Sequence, residues 1–218
     1  MKRISMRWIV MGAAVLSGTA ARADLIVNGG FEQLATTGQG GLFAAGDPSI
    51  TGWTIVSGSV DVHNSSLFET FEGRQALDLD GTGAGTIEQT FATAAGSSYV
   101  LSFEYANNPF GVTSPATALV SLLGATPLLS QAISHSGSSA ASMNYTLFTA
   151  AFTADSAMTR LRFASTDSPA SVNGIVLDAV SVNLSAVPEP GSLVLLGSGL
   201  LGLAAARYRI GRAGRQTA

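Results

Sequence analysis

Nine residues, Ser98-Tyr99-Val100-Leu101-Ser102-Phe103-Glu104-Tyr105-Ala106, constrain this chain more than any others. On an extended backbone, Tyr99, Leu101, Phe103 and Tyr105 fall on one side and Ser98, Ser102 and Glu104 on the other. That is the period-two pattern of a half-buried strand. Similar segments recur between turn signals: WTIVS from 53, SVDVH from 59, QALDLD from 75, TIEQTFA from 86, ATALVSLL from 116, PLLSQAIS from 127, NYTLFTAAFTA from 144, MTRLRFAS from 158 and GIVLDAVSVNL from 174. None of them has helical periodicity. About ten short strands without intervening helices predict an all-β fold, an antiparallel β-sandwich and most simply a jelly roll, over residues 24–184. HSGSSAAS, from His135, reads as a low-complexity loop, and no internal repeat is found.

The two ends read differently. Lys2, Arg3 and Arg7 precede the apolar WIVMGAAVLSGTA, and Ala21 and Ala23 supply small residues at −3 and −1. Residues 1–23 are therefore read as a secretory signal peptide, cut by signal peptidase after Ala23; the alternative is a short membrane anchor. The C-terminus runs VPEPGSLVLLGSGLLGLAAARYRIGRAGRQTA. Pro188 and Pro190 stop any helix leaving the body and make 185–191 an exposed linker. Residues 192–206 form a short transmembrane helix; even counted from Gly191, roughly sixteen residues at 1.5 Å each reach about 24 Å, short of a hydrocarbon layer of roughly 30 Å. Arg207, Arg209 and Arg212, with Arg215 behind them, act as a membrane stop, so 207–218 is a basic cytoplasmic tail and the body lies outside the inner membrane.

Between Asp24 and Pro190 stand three arginines, no lysine and all fourteen acids, which leaves about −11. Such a surface repels phosphate backbones and excludes nucleic acid as a partner, while it suits divalent cations. With no cysteine, an exported domain has no disulfides and depends on core burial.

Two resemblances follow from these strings. Val187-Pro188-Glu189-Pro190-Gly191, a short apolar helix and an Arg cluster resemble the PEP-CTERM sorting signal over about residues 186 to 215. The resemblance implies that Pro188, Glu189 and Pro190 are a sorting signal read by an exosortase, a membrane transpeptidase of Gram-negative bacteria that make exopolysaccharide. It further implies a transient inner-membrane anchor and a final place at the cell surface or in the extracellular matrix. LIVNGGFEQ, ITGWTIVSGSVDV, GRQALDLDGTGAGTIEQTF and VLDAVSVN resemble the choice-of-anchor C family, related to DUF642 proteins and similar in fold to galactose-binding jelly rolls. That resemblance implies fold and location, not a defined activity.

Asp178 carries the sharpest chemical expectation. It lies in phase with Val176, Val180, Val182 and Leu184, while Ile175, Leu177 and Ala179 make the other face apolar. A carboxylate there needs neutralising, by a cation or by backbone amides or an arginine. Carbohydrate-binding jelly rolls with a similar Asn-Gly-Gly-Phe-Glu opening hold a structural Ca²⁺ through that Glu and an Asp of the last strand; the matching residues are Glu32 and Asp178. Asp78-Leu79-Asp80-Gly81-Thr82-Gly83 is only superficially an EF-hand loop, because position 12 is Gln89 and no helices flank it. Leu77 and Leu79 are expected in the core and Asp78 and Asp80 in solvent.

His63 and His135 are the only histidines, with His135 expected in solvent, and no Gly-x-Ser-x-Gly elbow exists. The chain is therefore read as no enzyme. Trp53 is expected in the core. Tyr105, Asn107 and Asn108, with Phe110, are candidate sugar contacts beyond a strand end. The function expected is that of an exported, surface-associated, non-catalytic protein that binds exopolysaccharide or another glycan; the alternative is an extracellular glycan hydrolase.

Overall fold

A computed structural model describes residues 24–34, 40–111, 115–185 and 197–203. Eleven strands lie among them: β1 (Gly40–Ala44), β2 (Thr54–Ser57), β3 (Ser59–Asn64), β4 (Gln75–Asp78), β5 (Thr86–Ala92), β6 (Ser98–Asn107), β7 (Ala116–Leu123), β8 (Pro127–His135), β9 (Thr146–Thr153), β10 (Met158–Ser165) and β11 (Ile175–Leu184). They form a six-stranded sheet in the order β1-β3-β4-β11-β6-β9 and a five-stranded sheet in the order β2-β5-β10-β7-β8. The ladders β10/β5, β10/β7 and β6/β9 are antiparallel, as are β1/β3 and β3/β4. The antiparallel sandwich read from the alternation is the fold, and all ten expected strands are present. β1 was missed: it enters through Gly40 and Gly41, and its Leu42 points to solvent while Phe43 points inward.

The main core lies between the sheets and is built by the inward halves of the alternating segments. Tyr99, Leu101 and Phe103 of β6 meet Leu161 and Phe163 of β10, with Ile87, Val120, Leu177 and Val182 around them. The Phe103 and Phe163 rings meet edge to face at 5.0 Å, and Trp53, buried as expected, packs on Phe163 at 6.1 Å and on Phe31 at 5.4 Å.

The six-stranded sheet is also covered on its outer side. Phe68, Ala76, Ala106, Met143 and Val176 form a second buried cluster, with Tyr145 against it. The β3–β4 and β8–β9 loops build this cover and are stitched together: the amides of Glu69 and Met143 donate to Ala140 O and Glu69 Oε2, both at 3.0 Å. This double burial explains why β11 is apolar on both faces. Ala179 sits at φ 50, and this kink shifts the phase of the strand. Val180 and Val182 consequently join the main core, so Asp178 shares its outward side with Val176 and not with Val180 and Val182 as the simple alternation implied.

The chain divides into two compact units, Met1–Asn183 and Leu184–Ala218. In the second, 197–203 is helical, with Leu200, Leu201 and Leu203 exposed. No helix among the described residues is long and apolar enough to cross a membrane. The signal peptide expected over 1–23, the Pro188-Glu189-Pro190 motif, and Arg207, Arg209 and Arg212 lie outside the described residues.

Candidate functional site

Glu32 and Asp178 both reach the β3–β4 loop. Asp178 is fully buried; its Oδ2 accepts the amides of Phe71 (2.9 Å) and Glu72 (3.1 Å), and its Oδ1 accepts that of Ala179 at 2.7 Å. Glu32 Oε1 accepts the amides of Arg74 (2.5 Å) and Gln75 (2.7 Å). Backbone amides are thus one answer to the charge at Asp178, although burial still pushes its pKa up to about 7 against those hydrogen bonds. Glu72 stands beside it: a Cβ on Gly30 would lie 2.7 Å from Glu72 Oε1 and 3.6 Å from Asp178 Oδ1. Tyr145 packs at the same place, where burial first and the charges of Asp178, Glu69 and Glu104 next push its ionisation upward. Among the described residues no three Asp, Glu, His or Cys side chains form a metal-ligand group.

A second set of acids lies under the loops at one end of the sandwich. Asp78 and Asp80 are fully buried, contrary to the expectation that they face solvent. They do point away from the main core, but the loops carrying Asn108 and Gly174 close over them. Asp78 Oδ2 accepts from Asn108 Nδ2 at 2.6 Å, and its Oδ1 accepts the amides of Asp80 (2.9 Å) and Gly174 (3.0 Å). Burial still pushes Asp78 up to about 8.

Of the three candidate sugar contacts, Asn108 is buried and structural: it holds Asp78, and its Oδ1 accepts the Phe110 amide at 2.9 Å. Tyr105 is half-buried within β6 and packs on Phe103 and His135. Asn107 fixes the β8–β9 loop, its Oδ1 accepting the Ser138 amide at 3.0 Å. The strand end that looked free in the sequence is roofed by that loop. The exposed group beyond that strand end is Phe110 on the β6–β7 loop, 52% accessible. Two clefts open on this loop and share Gly111 and Pro115. One, of about 340 Å³, is walled by Asp167, Ser171 and Asn173; the other, of about 290 Å³, by Asn107, Pro109 and Ser138.

The outward face of the five-stranded sheet carries a different chemistry. Arg162 forks onto Glu88 Oε2 through Nε (2.9 Å) and a terminal nitrogen (2.7 Å), and Arg160 Nε lies 3.6 Å from the same oxygen. A shallow hollow of about 210 Å³ beside them is lined by Leu123, Pro127 and Ser130.

Neither histidine is set up for nucleophilic catalysis. His135 is half-buried and not free in solvent as expected, because the roofing loop engages it: its Nδ1 accepts the Asn107 amide at 3.1 Å and its Nε2 donates to Asn144 O at 2.9 Å. The nearby Ser138 hydroxyl stands 3.5 Å from His135 Nδ1 but donates its proton to Met143 O at 2.7 Å, and the ring nitrogens are held by Asn107 and Asn144 and not by a carboxylate. His63 lies 4.0 Å from Asp61, packs on Phe68, and burial lowers its pKa.

Fold and site together define a β-sandwich with buried carboxylates under its loops and clefts at one end. The chain belongs to the family described as "Protein of unknown function (DUF642)", matched over residues 24–183, and residues 186–209 match the PEP-CTERM protein-sorting motif. The motif marks an exported protein with a C-terminal anchor segment. Halomucin from Haloquadratum walsbyi is 28% identical over 188 residues, 83% of this chain but 2% of halomucin, so the chain spans a small part of that relative. Among solved structures, a CBM4 module is 17% identical with a TM-score of 0.43, over 73% of this chain and 99% of that one. TmCBM61, solved with β-1,4-galactotriose, is 10% identical with a TM-score of 0.48, over 75% and 99%. The enzymatically active domain of tailspike protein 4 from bacteriophage CBA120 is 16% identical with a TM-score of 0.42, over 74% and 21%. At these identities and scores the likenesses say nothing about ligand or activity.

Proposed function

We propose that this is an exported, non-catalytic polysaccharide-binding module, delivered to the surface or matrix of a Gram-negative cell by an exosortase-type system after a transient inner-membrane stage. The carrying observation is Phe110, an exposed aromatic whose chain neighbours Pro109 and Gly111 line the loop clefts and whose amide is held by Asn108, itself bonded to Asp78. Sugar rings present C–H faces to an aromatic and hydroxyls to amides, carboxylates and other hydroxyls, and both kinds of group meet here. The occupied hydrogen bonds of His135 and Ser138 support the non-catalytic part. Glu32 and Asp178 hold a structural Ca²⁺ in this reading, with Glu72 adding negative charge beside Asp178. Retention of the purified chain on exopolysaccharide tests the proposal. Phe110→Ala lowers retention about tenfold with melting unchanged, since the ring is exposed; release of soluble sugar by the wild type would remove the non-catalytic assignment.

A further inference from the structure

Asp80 presents an electrostatic problem that the glycan reading does not touch. Both of its carboxylate oxygens are enclosed, and neither accepts a hydrogen bond. Native interiors rarely leave such a group without a partner, and a bound ion or water usually supplies one. Its surroundings supply oxygen but no positive charge. The hydroxyls of Ser165 and Ser171 lie close enough to favour its ionised form without completing a bond to it, and Asp167 adds a second negative charge. Arg160 and Arg162 are engaged with Glu88 on the five-stranded sheet, and His63 faces Asp61. Asp78, two residues away, has both oxygens occupied by the Asn108 side chain and the amides of Asp80 and Gly174, and makes no hydrogen bond to the Asp80 carboxylate.

The backbone is shaped to this carboxylate. A Cβ on Gly174 would stand 2.6 Å from Asp80 Cγ and within 2.9 Å of both its oxygens, so only glycine lets the β10–β11 loop come down upon it. The same loop walls the larger cleft through Asp167, Ser171 and Asn173.

We infer that Asp80, with the Ser165 and Ser171 hydroxyls beside it and Asp167 adding negative charge, binds a hard divalent cation, calcium by its all-oxygen donor set, beneath the β10–β11 loop. Burial raises the Asp80 pKa in the ion's absence, and a bound cation removes that penalty. With one carboxylate in contact and a second nearby, the site belongs to the weak class of extracellular calcium sites, with a Kd on the order of 0.1–1 mM. It is independent of Glu32 and Asp178, which bond to amides at the β3–β4 loop.

The test is calcium titration, by calorimetry and thermal melting, of the whole chain in mild detergent after EDTA treatment. Wild type binds one ion per chain more than Asp80→Asn, whatever the Glu32 and Asp178 pair contributes, and calcium raises its melting temperature by a few degrees. Asp80→Asn, isosteric and uncharged, melts in EDTA no lower than wild type. Ser171→Val keeps the carboxylates and weakens the same ion about tenfold. Equal ion counts in wild type and Asp80→Asn overturn the assignment. So does a chain stabilised by acid but not by calcium, because the charge is then answered by a proton.

Discussion

At the scale of single residues, the buried acids make stability depend on pH in an unusual direction. Burial holds Asp78 up to about 8 and Asp178 up to about 7, against 3.8 for each in an unfolded chain. Between about pH 4 and 8 the folded state therefore keeps protons that the unfolded state releases, so its stability falls as pH rises. In EDTA, melting is expected to be highest near pH 4 to 5 and to drop toward pH 8, a loss of a few kcal/mol. Differential scanning calorimetry across this range checks it; a flat profile, or a rise toward neutral pH, contradicts it. Asn108 gives a second expectation. Asn108→Ala leaves Asp78 Oδ2 without its donor and costs about 1–3 kcal/mol, while Phe110→Ala costs almost nothing; both weaken glycan retention. Comparing the two melting curves separates the residue that positions from the residue that touches. Asp178 was legible in the sequence because a carboxylate stood in a strand apolar on both faces. Asp80 was not, since alternation tells which side a residue faces and nothing about which loop covers that side.

At the scale of elements, β11 shows where a period-two pattern stops being sufficient. Its inward residues were readable up to Leu177, and then the positive φ at Ala179 moved every later residue across the sheet. An L residue in that region costs roughly 1 kcal/mol. Ala179→Gly is accordingly expected to stabilise the protein by about 0.5–1 kcal/mol, net of the entropy glycine adds to the unfolded chain, and denaturant midpoints will show it. β6 was legible throughout because both of its sides follow one register, whereas β1 was hidden by its two glycines and single inward Phe43. The outer cluster is the other element invisible to patterning, since its residues come from loops as well as strands. Phe68 is fully buried there, so Phe68→Ala is expected to cost about 3 kcal/mol and to expose the β3–β4 loop to proteolysis before global unfolding.

At the scale of the molecule, core and address are separate pieces of chain. The sandwich core draws on residues from Ile26 to Val182, and the unit that follows begins at Leu184. The body contains no cysteine, so no disulfide is required to fold it. Residues 24–185 alone are therefore expected to melt within about 2 °C of the full-length chain, because deleting the tail removes no buried apolar side chain from the sandwich. Delivery should respond in the opposite way. Under the proposed route, replacing Pro188 and Pro190 by alanine leaves melting unchanged but removes the helix-breaking residues of the motif that a processing enzyme would read. The variant is then expected to stay membrane-bound with its C-terminus intact, while the surface form of the parent has lost residues beyond the linker. Intact-mass measurement of both forms decides the matter: a parent protein at the cell surface still ending at Ala218 would mean that the arginine-flanked helix serves as a permanent anchor and not as a signal removed in transit.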